Sequence, residues 1–445
     1  MKTRWLALWD TLRSSFWLVP ALMSLAAVAL SIALVALDGA IQDKVLRNIG
    51  WIWIGGAEGA RSLLEAVASS MITVAGVVFS ITMVALTMAS AQFGPRLLRN
   101  FMRDTGNQVV LGTFVATFIY CVLVLRTIRS GDDMAFVPYI AVTGAIVLAL
   151  ASLGVLIYFI HHTSTTIQVS NVIGRVSLEL DTAITRLYPQ QVESGEPGRR
   201  RSEPLREIPA ACERQGTAVA ASRRGYLQGI DYETLLRLAQ EYDCLLCLQT
   251  RPGSFVIAGS TLALVWPAEH LDTALVKRVR DACVVGSERT SIQDVEFCIN
   301  QLVELAVRAL SPGINDPFTA ITCIDHLGAA LCHLAQRLIP SPYRYDEAKH
   351  LRLIVYPVTF ASVTETALNQ IRQYGCSSVA VTLRLLETLA VVAAYTYRDE
   401  DRAALRRQAT MIEHGSRQNL PHKWDYEDIQ QRYHTVMQAL QQHKE

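Results

Sequence analysis

"AVASSMITVAGVVFSITMVALTMASA", Ala66–Ala91, carries no Asp, Glu, Lys, Arg or His. A bilayer core is about 30 Å thick, and a helix crosses it with roughly 20 apolar residues. This stretch is long enough, and no soluble helix needs so long a run without a charge. Three more stretches meet the same condition: Phe16–Leu37, Val109–Leu125 and Phe136–Ile160. The apolar run of the first exceeds the usual 7–15 residues of a cleaved signal segment, so it is read as a retained span.

Composition agrees. The chain has 445 residues, of which 51% are hydrophobic and 18% charged. An ordinary soluble domain carries about 25% charged residues. The apolar excess sits in the first 160 or so positions. A net charge of +1, with basic and acidic residues interleaved, gives no support for nucleic acid as a partner. The nine cysteines lie mostly inside apolar runs and suit a reducing compartment. "CLLC" at Cys244–Cys247 is a CxxC in spelling, but no second ligand pair accompanies it, so no metal is expected.

The expected fold is a mainly α membrane protein, with four transmembrane helices followed by a cytosolic tail that holds a small α+β module and a helical bundle. The expected boundaries are 1–165 for the transmembrane domain, 166–190 for a helical stalk, 191–210 for a linker, 211–268 for the module and 269–445 for the bundle. Basic residues mark the inner side of a membrane. Lys2, Arg4 and Arg13 precede the first span, and Arg96, Arg99 and Arg103 follow the second. That places both termini in the cytoplasm and makes the three arginines a basic inner mouth. "WIWIGG", Trp51–Gly56, then belongs to the outer interface, where Trp rings settle.

The second span carries a pattern within its apolarity. Ser69, Thr73, Gly76, Ser80 and Thr87 fall at steps of three, four and seven, which is one helical stripe. Small residues let helices approach closely and hydroxyls bond across the contact. The same stripe, facing inward in an assembly, would line a water-filled path. Gly112, Thr113, Ala116 and Thr117 in the third span and Gly144 and Ser152 in the fourth repeat it on a smaller scale. No ionisable residue lies mid-span, which argues against a proton relay.

After the fourth span, Val169, Val172, Ile173, Val176, Leu180, Ala183 and Leu187 keep a heptad-like spacing. Such a stalk wants a partner, either a second copy of the chain or the tail itself. Pro, Gly and charge from Pro189 to Pro209 read as the linker. Beyond it, "GYLQGID" reads as a strand, "YETLLRLAQEY" as a helix capped by Asp231, "DCLLCLQT" as a strand, and "FVIAGSTLALVW" as one or two more. From Pro267 on, helices are expected at His270–Cys283, Ser291–Leu310, Pro317–Leu338, Thr359–Gln373, Val379–Tyr397, Glu400–His414 and Tyr426–Gln442.

"RALSPGINDPFTA", Arg308–Ala320, joins two of these helices. Asp316 reads as an N-cap, Pro317 as the first helical residue, and Gly313 as the positive-φ residue ending the previous helix. That describes a capped corner. It also gathers Ser311, Asn315, Asp316 and Thr319 at a helix N-terminus, with Arg308 one turn earlier. "SERTSIQD" adds Arg289, Thr290, Gln293 and Asp294 at the start of the preceding helix. A ligand or anion site, or a polar network, is the competing expectation.

The blocks "AQFGPRLLRNFMRD", "YFIHHTSTTIQVS", "GYLQGID", "RPGSFVIAGSTL", "SERTSIQDVEFCINQLVELAVRALSPGINDPFTA" and "ALNQIRQYG" resemble the bacterial predicted-membrane-protein family catalogued as domain of unknown function 2254. Where that family tends to read QDxxFG, this chain has QDVEFC, with Cys298 at the small position. The resemblance implies an inner-membrane protein with a cytosolic tail and implies no chemistry.

Two functions remain in view. One is a homo-oligomeric channel or pore with a regulatory tail. The other is a membrane-anchored sensor or scaffold whose tail binds a small ligand or protein. Catalysis is not expected. The chain lacks GxSxG, HExxH and a phosphate-cradling glycine loop. His326 and His333 fit an amphipathic core helix better than a metal site. No cofactor is expected.

Overall fold

The computed structural model describes residues 17–40, 56–93, 105–129, 136–166, 168–190 and 212–442. It divides into two compact units, Trp5–Asn171 and Val172–Glu445. The basic mouth at Arg96, Arg99 and Arg103, the Trp51–Ile54 segment and the linker lie outside the described residues.

The first unit holds α1 (Leu18–Ala40), α2 (Ala57–Phe93), α3 (Thr105–Leu125) and α4 (Tyr139–Thr166). Their long apolar runs leave the backbone no partner but itself, and a helix satisfies every interior N–H and C=O. The third helix lies against the other three. Its Ala116, Tyr120, Cys121 and Val124 join Ala60 and Leu64 of α2 and Ala141 and Ala145 of α4 in one core cluster. Phe114 packs with Ala75, Val78 and Phe159 in a second. The outer faces are apolar too: Leu25 is 66% exposed and Leu150 also 66%. A bilayer covers such faces without cost, whereas water does not.

The second unit begins within α5 (Val169–Leu187), whose Val172, Ile173, Val176, Leu180 and Ile184 are buried. The expected stalk therefore lies on its own tail. Arg186 donates to Ser291 O at 2.8 Å, Tyr188 OH to Val358 O at 3.1 Å, and Asp181 faces His333 Nδ1 at 3.3 Å.

Next come β1 (Thr217–Ala220), β2 (Gly225–Ile230), α6 (Tyr232–Glu241), β3 (Leu245–Leu248), β4 (Phe255–Val256), β5 (Thr261–Trp266), α7 (Thr273–Asp281) and β6 (Cys283–Gly286). Two long helices follow, α8 (Val295–Ala309) and α9 (Pro317–Ala335), then β7 (Tyr343–Tyr345) and β8 (Leu351–Ile354). The chain ends in α10 (Phe360–Gly375), α11 (Val379–Ala393), α12 (Asp399–Asn419) and α13 (Lys423–Gln441).

A five-stranded sheet runs β1-β5-β3-β8-β7, and a three-stranded sheet runs β4-β2-β6. All pairings are antiparallel except β3 with β8, where Leu246 aligns with Leu353. Leu227, Leu235, Leu238, Leu246, Val265 and Leu275 form the core between strands and helices. Strands β6, β7 and β8 carry the sheets past residue 268, where sequence had them end. A strand of three or four residues such as "LRLI" is too short to show a period of two, and its partners β3 and β7 hold it as a strand.

Five helices among the described residues are long and apolar enough to cross a membrane, one more than the four expected. The fifth is α9, in the tail. Cys247 also departs from expectation. It leaves its CxxC partner and bonds to Cys212, thirty-five positions earlier, while Cys244 stays free and buried. Adjacent residues of a strand face opposite ways, so positions three apart cannot share a face.

Candidate functional site

In the membrane unit the stripe has a definite direction. The second helix buries Ala60, Leu64, Ala68, Ala75, Val78 and Ala85 against its own chain. Ser69, Thr73, Gly76, Ser80 and Thr87 lie on the other side and are exposed. Nothing stands within 4 Å of where a Cβ on Gly76 would be. Thr73 donates to Ser69 O and Thr87 to Met83 O, each at 2.8 Å. These hydroxyl protons are used by the helix itself, which lets the stripe sit in lipid cheaply and leaves oxygen lone pairs pointing out.

The small residues of the other spans are used differently. A Cβ on Gly112 would lie 2.6 Å from Met23 Sδ and 3.2 Å from Pro20 Cα, so α1 and α3 touch there. On Gly144 it would lie 2.7 Å from the Tyr120 hydroxyl. Thr117 and Ser152 join α3 to α4 at 3.2 Å. Within one chain these positions close helix contacts, while among the described residues the stripe of α2 faces away from the other helices.

One acidic residue in this unit escaped sequence reasoning. Asp38 reads as a loop charge in a mixed segment, yet it is the buried end of α1. Its two carboxylate oxygens accept from Ile140 N and Ala141 N, both at 2.9 Å. A carboxylate at a helix N-terminus meets unpaired N–H groups and the positive dipole end. Tyr120 completes the joint by donating to Ala141 O at 2.8 Å.

The tail residues separate into two groups. Asp294 caps α8, accepting from Phe297 N at 3.2 Å. Arg289 donates to its other oxygen at 2.7 Å. Burial pushes the Asp294 carboxyl up from its ordinary range, and the Arg289 charge opposes that rise. Gln293 makes a two-way bond with the backbone of Ile230, at 2.8 and 3.1 Å. The Thr290 hydroxyl lies 3.5 Å from Gln228 O, at the edge of bonding distance. Gly253 has φ +91°, and any side chain there would strike the Asp294 carboxylate. These residues splice β2, the turn before β4 and α8 together. The expected helix start at Ser291 moves to Val295 because Asp294 is its cap.

Ser311, Asn315, Asp316 and Thr319 belong to the other end of α8. Asp316 accepts from Thr319 N at 3.1 Å and from the Thr319 hydroxyl at 2.6 Å. The hydroxyl bond is the main reason its carboxyl lies below the usual range. Ser311 donates to Arg308 O at 2.6 Å, and the guanidinium of Arg308 lies 3.5 Å from Glu304. The positive φ falls on Asn315, at +52°, not on Gly313. Asn tolerates that region better than other side-chain-bearing residues. With 15 residues, α8 is about 22 Å long. The Arg289–Asp294 group and the Ser311–Thr319 group stand at its two ends, so the single site expected from sequence divides into two capping networks.

Sequence reasoning also missed Glu296. Its carboxylate takes Arg251 Nη2 at 2.9 Å and the Ser362 hydroxyl at 2.8 Å, tying the turn before β4, α8 and α10 together. A Glu in the first turn of an otherwise apolar helix, one step from the cap, was the available signal. Among the described residues no group of three or more His, Cys, Asp or Glu could hold a metal ion.

No solved structure matches the chain. An uncharacterized protein of Mycobacterium bovis is 34% identical over 419 residues, covering 93% of this chain and 78% of its own length. Uncharacterized proteins of two Mycobacterium tuberculosis strains, H37Rv and CDC 1551, match to the same extent. The family model described as "Predicted membrane protein (DUF2254)" matches residues 13–391. Apolar outer faces on the first four helices and a match of that breadth lead to one conclusion: the chain belongs to this family of predicted membrane proteins.

Proposed function

We propose that the protein is an oligomeric channel of the bacterial inner membrane, with four spans per chain, both termini in the cytoplasm and a regulatory tail. The observation behind this reading is the outward stripe of α2. A single chain spends its close-packing residues on internal contacts at Gly112, Gly144, Thr117 and Ser152. It leaves Ser69, Thr73, Gly76, Ser80 and Thr87 facing away. In an assembly of several copies that stripe either meets its equivalent or faces a shared aqueous axis. The basic segment Arg96, Arg99 and Arg103 would then favour anions at the inner mouth.

In this reading the ninth helix belongs to the tail and is not a fifth span, and its surroundings support that. Its Ala320, Ile324, Leu327, Leu331 and Leu334 are buried, and it packs on α8 and α11. A side chain at Gly328 would collide with Thr388 of α11. The sensor reading keeps one supporting observation, the docking of α5 on the tail through Glu179, Asp181, Arg186 and Tyr188. It provides a link by which a tail ligand would be felt at Val169.

The test is ion flux through purified protein in liposomes. Flux that changes when Gly76 or Ser80 becomes Leu supports the channel. Absence of flux under voltage, membrane tension and anion gradients, with Gly76→Leu indistinguishable in oligomeric mass, leaves only the sensor.

A further inference from the structure

Between the last turns of α10 and α12 lies an open cleft of about 500 Å³, a volume within the range of small-molecule sites. Its polar lining is Arg372, Gln373, Thr410, His414, Gln418 and Asn419, with Met411 supplying apolar wall. No carboxylate contributes to the lining. The nearby acids are engaged elsewhere: Glu365 pairs with Arg407 at 2.9 Å, and Glu413 accepts from Tyr426. Arg372 makes no ion pair among the described residues, and its Nε is buried without a partner.

Gln408 of α12, 1% exposed, donates to Asn369 of α10 at 3.0 Å and ties the two helices together one turn before the cleft. Asn369 lies one turn before Arg372, and Gln408 one turn before Met411, so the polar seam leads into the cleft. The carbonyl ends of α10 and α12 contribute partial negative charge here, about half a unit each and falling off within a turn. A guanidinium carries a full charge and five donors in a planar fork, a form suited to phosphate and carboxylate. Arg372 pairs with no acid among the described residues, and only the partial charges of the two helix ends stand opposite it, so its planar fork of donors, beside neutral amides, favours a planar oxyanion.

We propose that the α10–α12 cleft binds a small oxyanion, a phosphate or carboxylate group, with Arg372 as its principal ligand and the amide groups of Gln418 and Asn419 as orienting partners. The site is independent of whether the membrane unit conducts. It gives the tail a ligand of stated chemistry, and it lies away from both capping networks of α8 in sequence.

The test is thermal unfolding of the full chain in neutral detergent, titrated with inorganic phosphate, with citrate, and with short-chain phosphatidylglycerol. The expected result is a saturable rise in Tm with at least one of them. Arg372→Gln weakens the apparent affinity about tenfold or more, and Arg372→Lys restores part of it. Gln418→Glu is an exposed change that leaves the fold intact and sets a carboxylate in the lining; it abolishes the shift. A response to phosphatidylglycerol alone assigns the oxyanion to a lipid headgroup, and a response to phosphate or citrate assigns it to a free solute. No saturable shift with any probe, or a shift unchanged in both Arg372→Gln and Gln418→Glu, overturns the proposal.

Discussion

The two units bury apolar side chains to opposite degrees. In the membrane unit large residues such as Leu25, Ile32, Leu150 and Ile157 stand 64–66% exposed, and its core is narrow, built on Ala60, Ala116, Ala141 and Ala145. In the tail, leucines of the same size, Leu227, Leu235, Leu327 and Leu389, are 0–1% exposed. Polar groups invert as well. The tail joins its elements with charged pairs such as Arg289–Asp294 and Arg251–Glu296. Among its described residues the membrane unit is joined by the Asp38 carboxylate at a helix end, a contact from Arg61 to the Ile128 carbonyl and a few hydroxyl contacts. The difference shows where each unit finds its solvent. Lipid removes the penalty on outer leucines and raises the penalty on any unmatched polar group.

The sharpest way to break this comparison is one substitution made in both units. Leu327→Ala, in the core of α9, is expected to cost about 3 kcal/mol through lost burial and a cavity. Leu150→Ala, on the outer face of α4, should stay within about 0.5 kcal/mol. Equilibrium unfolding in detergent measures both. Equal losses would mean that the outer face of α4 is covered by protein, and equal indifference would mean that α9 is not a core helix.

Asp38→Ala comes next, at about 2 kcal/mol, because it strands two backbone N–H groups at the start of α4. Asp38→Asn should recover part of that, since Asn also caps helices. The readout is the thermal midpoint of the membrane unit, followed by tryptophan fluorescence or circular dichroism. A neutral Asp38→Ala would mean that water reaches this helix end.

The smallest expected effect is in the tail. Asp316→Ala removes a cap and costs about 1 kcal/mol at neutral pH. The Asp316 carboxyl is held below its usual value by Thr319. Its contribution is therefore complete above the unfolded-state value of about 4 and disappears as pH falls through the lower folded-state value. Unfolding curves of wild type and Asp316→Ala should converge in acid and separate above it. A gap that persists in acid would show that the hydroxyl and backbone geometry, not the charge, carries the cap.

Much of this was readable in the order of residues. Runs such as Ala66–Ala91 announce helices in a bilayer, because a chain without charge over that length has no stable place in water. Asp231, Asp294 and Asp316 announce helix starts, because the needed contact is local, two or three residues away. Contacts between distant positions left no such mark. Asp38 looks like a loop charge until residues 140 and 141 are beside it. The strand at Leu351–Ile354 exists because β3 and β7 pair with it, and Cys247 bonds to Cys212 and not to Cys244 because a strand turns successive residues to opposite faces. Glu296 and Arg251 meet across 45 positions. The cleft of Arg372 and His414 joins helices that nothing in their spacing connects.

By itself, then, the sequence determined the membrane character of the opening third, the family, the caps and the existence of a small-residue stripe, since each depends on periodicity or on neighbours within a turn. Tertiary structure alone decided that the stripe faces outward and that an apolar helix at Pro317–Ala335 lies in a protein core. Those outcomes depend on which surfaces remain after packing, and packing is a property of the whole chain.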